Sequence, residues 1–121
     1  MNDIHLISIR LEELYRVLSS YEKRELSRFL ASPYFNRDKN LPALHQFLCD
    51  AESGSPSLKS KAWKSVFGNK KYDDKKFRYM VSDLIAAIEE FIFISSVLKS
   101  KQGYTHLLDE YFTIREASAN K

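Results

Sequence analysis

Apolar side chains recur every three or four residues through the second half of the chain: Phe77, Met80, Leu84, Ala87, Phe91, Ile94 and Leu98, with Val81, Ile85, Ile88 and Ile92 as a second stripe beside them. This spacing predicts one helix from about Asp74 to Lys99, apolar around most of its girth. The stretch from Phe77 to Leu98 would measure roughly 33 Å, whereas a compact chain of this size has a radius of gyration of about 14 Å. A helix apolar nearly all round is a buried one. The pattern therefore predicts an all-α fold, an orthogonal bundle of five to six helices around one long central helix.

The rest of the chain supplies the surrounding helices. Leu11, Leu14, Tyr15 and Leu18 mark a helix face that starts near Ile4 or Ser8. Ser19 and Glu22 have capping-box spacing, so a second helix should run from Tyr21 to Leu30, with Leu26, Phe29 and Leu30 inward and Glu22, Lys23, Arg24, Glu25 and Arg28 in solvent. Ser32 and Pro33 end it, and the loop to Asn40 should tuck Tyr34 and Phe35 against the core. Asn40 is then expected to cap a helix with Pro42 in its first turn and Leu41, Leu44, Phe47 and Leu48 buried, through about Glu52. Ser53 to Ser57 reads as a flexible loop, with Ser57 capping a helix from Leu58 to Phe67 that buries Leu58, Ala62, Trp63, Val66 and Phe67. Gly68 suits the left-handed position after a helix, Asp73 or Asp74 should cap the long helix, and Gly103 should break it. Tyr104, Leu107, Leu108, Tyr111, Phe112 and Arg115 outline a final helix. The β-branched and aromatic run Phe91 to Val97 also suits a strand, but it lacks polar alternation and continues the helical spacing.

Composition narrows the class. The 121 residues are 44% hydrophobic and 29% charged, with 3 Gly and 3 Pro, which predicts a single globular domain over 1–121 rather than a disordered chain. Cys49 is the one cysteine; beside Phe47 and Leu48 it reads as a small buried hydrophobe in a reducing compartment. Met1 to Arg10 lacks the basic, apolar and small-residue segments of a signal peptide. The longest uncharged apolar stretch, Phe91 to Leu98, is far short of the roughly 20 residues that span a bilayer. A cytoplasmic protein without a membrane partner is the expectation.

Catalytic patterns are sparse. His5, His45 and His106 lie far apart, and the only metal-like spacing is His106 with Asp109 and Glu110, short of the three or four convergent ligands a metal centre needs. The adjacent pairs Glu89–Glu90 and Asp73–Asp74 diverge by about 100° on a helix. There is no glycine-rich phosphate loop, nucleophile elbow or Cys-x-x-Cys. We expect no enzyme, no cofactor, no metal and no small-molecule substrate.

Charge is more informative than its net value of +3. Residues 59–78 hold eight basic side chains and two acidic ones, a local +6, leaving −3 for the remainder. Lys64, Lys70, Lys71, Lys75, Lys76 and Arg78 are the candidate contacts for an anion or nucleic acid. Lys75, Lys76 and Arg78 fall in or near the first turn of the long helix, where the macrodipole disfavours cations and an external phosphate would be welcome.

The phrases Ala31-Ser32-Pro33-Tyr34-Phe35-Asn36 and 72–84, Tyr72-Asp73-Asp74-Lys75-Lys76-Phe77-Arg78-Tyr79-Met80-Val81-Ser82-Asp83-Leu84, resemble the N-terminal region of a family of large, uncharacterised helical bacterial proteins. That resemblance implies an all-helical module, followed in a longer protein by more helices, and it lends no activity. Residues 61–88, with Trp63, Phe67, Phe77, Arg78, Ser82 and Leu84, are also similar to the helix, turn and recognition helix of winged-helix domains in bacterial transcriptional activators. This implies wing strands at Phe91 to Leu98 and Tyr104 to Leu108. Ser82, Asp83, Glu89 and Glu90 depart from that pattern, because carboxylates facing phosphates oppose the electrostatics of DNA binding. The functional expectation is a non-catalytic interaction module that contacts protein, either a second copy, another protein or further helices of its own full-length chain, through Leu107, Leu108, Tyr111 and Phe112. The alternative is a winged-helix-like nucleic-acid-binding domain that uses the basic 59–78 segment.

Overall fold

A computed structural model describes residues 8–50 and 58–119. Every regular element among them is helical: α1 Ile9–Val17, α2 Ser20–Ala31, α3 Asn40–Asp50, α4 Leu58–Phe67, α5 Asp74–Lys99 and α6 Lys101–Ala119. The all-α class and the long helix predicted by the apolar stripes are both present. Where the winged-helix resemblance calls for wing strands, at Phe91 to Leu98 and Tyr104 to Leu108, the chain is helical except at Ser100, outside both segments. None of the helices among the described residues is long and apolar enough to cross a membrane. The loop read at 53–57, its Ser57 cap and the Ile4 and Glu52 boundaries lie outside the described residues.

Local hydrogen bonds explain where the helices begin. The Ser8 hydroxyl accepts from the Leu11 amide at 3.1 Å, which fixes the start of α1. At α2 the capping box is complete: the Ser19 hydroxyl accepts from the Glu22 amide at 3.1 Å and the Glu22 carboxylate accepts from the Ser19 amide at 2.8 Å. Asn40, expected as a cap, is instead the first residue of α3, because the Asp38 carboxylate takes the Asn40 amide at 2.8 Å. An acidic side chain two residues upstream satisfies a free amide and complements the helix dipole at once. Of the two aspartates before α5, Asp73 is the cap, accepting from the Lys76 amide at 3.1 Å. Gly68, at φ +66°, provides the left-handed turn after α4.

The chain divides into two compact units, 1–88 and 89–121. In the first, α3 packs on α2 and on α4. Its core consists of Leu11, Leu14 and Leu18, of Leu26 and Leu30, of Leu41 and Leu44, of Ala62 and Trp63, and of Phe77, Met80, Val81, Leu84 and Ile88 from the first half of α5. Tyr34 and Phe35, expected against this core, are outside it, at 88% and 43% exposed. The Phe35 and Asn36 amides both bond to the Ser32 carbonyl and the Asn36 side chain donates to Leu30 and Asp38 carbonyls, a tight turn that aims the two rings outward. Phe35 stacks on Phe29 at 4.7 Å between centroids, and Tyr34 meets Phe35 edge-on.

The second unit holds the end of α5 and all of α6. Phe91 is buried, but Phe93 and Leu98 are each 62% exposed. The all-round burial expected of the long helix is corrected: its first half is buried on one side only, with Tyr79, Ser82, Asp83 and Ala86 exposed, and beyond Phe91 part of the apolar stripe is exposed as well. The break expected at Gly103 lies at Ser100, whose amide bonds to the Ser96 and Val97 carbonyls and whose hydroxyl accepts from the Gly103 amide at 3.1 Å. One serine thus closes α5 and opens α6, while Gly103 sits inside a helix.

Candidate functional site

The best-connected polar cluster was not legible as a site. Tyr15 lies on the inner side of α1 and His45, 1% exposed, on the inner side of α3. His45 Nε2 stands 3.0 Å from the Lys23 carbonyl oxygen, which can only accept, so Nε2 carries the proton. Nδ1 then accepts from the Tyr15 hydroxyl. Burial holds the imidazole below its ordinary value of 6.5 and, with the nearby Cys49, drives the Tyr15 phenol well above its ordinary 10. Both groups are neutral over the physiological range, and the cluster ties α1, α2 and α3 together.

Cys49, expected to be buried, is exposed, one turn after His45. Its sulfur approaches Nε2 at 3.6 Å and Nδ1 at 3.9 Å. Both ring nitrogens already have oxygen partners, so the imidazole is not oriented to take the thiol proton. Shielding of the sulfur raises the thiol pKa, Lys23 opposing and Asp50 assisting. The arrangement favours thiol over the nucleophilic thiolate.

The basic segment converges on the α4–α5 turn. The Trp63 indole donates to the Lys70 carbonyl at 2.8 Å, the Gly68 amide bonds to the Lys64 carbonyl at 2.9 Å, and Lys76 Nζ lies 4.7 Å from the Phe67 ring centroid. Both acids of the segment are committed: Asp73 caps α5, and Asp74 pairs with Lys59 and with Arg78 at 3.0 Å each. The Lys59 ammonium, the Tyr72 hydroxyl and Arg78 keep the Asp74 carboxyl below its ordinary pKa. Of the six candidate contacts, Arg78 shares the Asp74 carboxylate with Lys59, while Lys64, Lys70, Lys71, Lys75 and Lys76 are exposed and carry no ion pair among the described residues.

The four apolar candidates are on α6. Leu107, Leu108, Tyr111 and Phe112, together with Ile114, are 41% to 59% exposed, and none of the described side chains between 101 and 117 is buried. Residues 107, 111 and 114 on one side of the helix and 108 and 112 beside them are all exposed. His106 stands 3.9 Å from Glu110 on the same helix in an exposed contact. Beside them, Ser100, Gly103, His106 and Asp109 line a shallow, open hollow. No group of three or more His, Cys, Asp or Glu able to hold a metal ion occurs among the described residues. Set against known protein families, curated proteins and solved structures, the chain matches none.

Proposed function

We propose that the chain is a non-catalytic helical interaction module whose α6 pairs with α6 of a second copy, parallel and in register. The supporting observation is the exposure of Leu107, Leu108, Tyr111, Phe112 and Ile114 on a helix with no buried side chain among those described. Most helical stability in proteins comes from packing an apolar face, and exposed apolar area of this kind is a mark of an interface. Residues 107, 111 and 114 have the four-and-three spacing of a coiled-coil seam, at positions d, a and d. Leu108 and Phe112 flank that seam on one side.

Charge selects the occupant and its direction. In this register Glu110 is at g and Arg115 at e. A parallel pair sets each g residue against the e residue five positions on in the other chain, so Glu110 meets Arg115 of the second copy, twice by symmetry. An antiparallel pair sets g against g, which places Glu110 opposite another Glu110, Gly103 or Ala117 and never opposite Arg115.

The test is a charge exchange read by analytical ultracentrifugation. Glu110→Arg and Arg115→Glu, each alone, should weaken self-association several-fold, and the double variant should recover it. Single variants that associate like the parent, or a double variant weaker than either single, would overturn the parallel pairing.

A further inference from the structure

The lysines around the α4–α5 turn form a second surface, independent of α6. The turn is held at several points: Gly68 sets the left-handed residue, the Trp63 indole anchors the Lys70 carbonyl, and the Asp73 carboxylate takes the Lys76 amide in the first turn of α5. An incoming anion at the start of α5 would face the Asp73 carboxylate that caps it. Away from that cap it meets Lys64, Lys70, Lys71, Lys75 and Lys76, exposed around a fixed turn without ion pairs among the described residues. Two exposed aromatic rings belong to the same segment. Tyr72 is 40% exposed and packs edge-on against Trp63, while Tyr79 is 60% exposed with Lys75 Nζ 5.7 Å from its centroid. Lysines that track a phosphate backbone beside an aromatic ring that accepts a base are the elements of sequence-tolerant single-strand binding.

The geometry points to a site for single-stranded nucleic acid across the α4–α5 turn, with the five lysines on phosphates and Tyr79 stacking a base. Duplex DNA fits less well. A recognition helix lies along the groove, and beyond the first turns α5 presents the exposed Asp83, one turn on from Tyr79, to the phosphates. An anionic bilayer would press its plane against the same carboxylate. A flexible single strand can end on Tyr79, one turn short of Asp83.

Fluorescence anisotropy with a labelled oligothymidine of about 20 nucleotides tests this, using a hairpin duplex and phosphatidylserine vesicles as competitors. Binding at low salt should weaken steeply as salt rises, by a log–log slope of about −0.7 per phosphate neutralised. Lys70→Glu with Lys71→Glu should weaken it at least roughly tenfold and flatten that slope. Tyr79→Ala should also weaken it roughly tenfold while leaving the slope unchanged. Circular dichroism melts matching the parent confirm that the variants fold, as expected of exposed positions. No binding at low salt, indifference to Tyr79→Ala, or preferential displacement by duplex or vesicles would each overturn the assignment.

Discussion

Leu84 and His45 illustrate two ways in which single side chains hold this fold. Leu84 is 0% exposed at the middle of the buried stripe of α5, so Leu84→Ala should cost about 2 to 5 kcal/mol in a denaturant melt, the range for a buried large-to-small change. A loss below about 0.5 kcal/mol, typical of surface positions, would place it outside the core. His45 is buried with its pKa lowered, so the unfolded chain binds this proton more readily than the folded one. Its contribution is fully present above the ordinary value of 6.5 and is lost as pH falls through the lowered one. Urea melts should therefore show stability falling as pH drops below the ordinary value of 6.5, and His45→Gln, though less stable throughout, should lose that part of the slope. An unchanged slope would mean that other groups carry it. Leu84 was legible because its neighbours repeat it every turn. His45 was not, since its partners lie 22 and 30 residues away in sequence and nothing local announces them.

At the scale of the helix, the legible features were those settled within four residues. Ser19 with Glu22, Asp73 and Gly68 all act as their local spacing implies. Two misplacements have the same physical origin: the Asp38 carboxylate takes the Asn40 amide and the Ser100 hydroxyl takes the Gly103 amide, and the side chain that reaches the free N–H sets the boundary. Gly68 is the sharpest test of this level. A methyl group there would meet nothing within 4 Å, yet φ is +66°. Gly68→Ala should thus lose about 1 kcal/mol from backbone strain alone, seen as a shift in the denaturant midpoint with an unchanged m-value. A neutral or stabilising result would show that the turn relaxes to an ordinary conformation.

At the scale of the whole molecule, periodicity reveals which residues are apolar, and only the structure reveals which are covered. The stripes of α5 and α6 look alike in sequence. Yet Phe77 to Ile88 supply the core of the first unit, whereas Phe93, Leu98 and the apolar residues of α6 are exposed. The proposed pairing accounts for that difference by giving α6 a partner outside the chain. Sedimentation equilibrium over a wide concentration range, on the parent and on Leu107→Glu with Ile114→Glu, examines it most directly. The account predicts a reversible monomer–dimer equilibrium for the parent and a monomer for the variant, with the melt of the buried core unchanged because both positions are exposed. A parent that sediments as a monomer at every accessible concentration, or a variant that dimerises equally well, would contradict it.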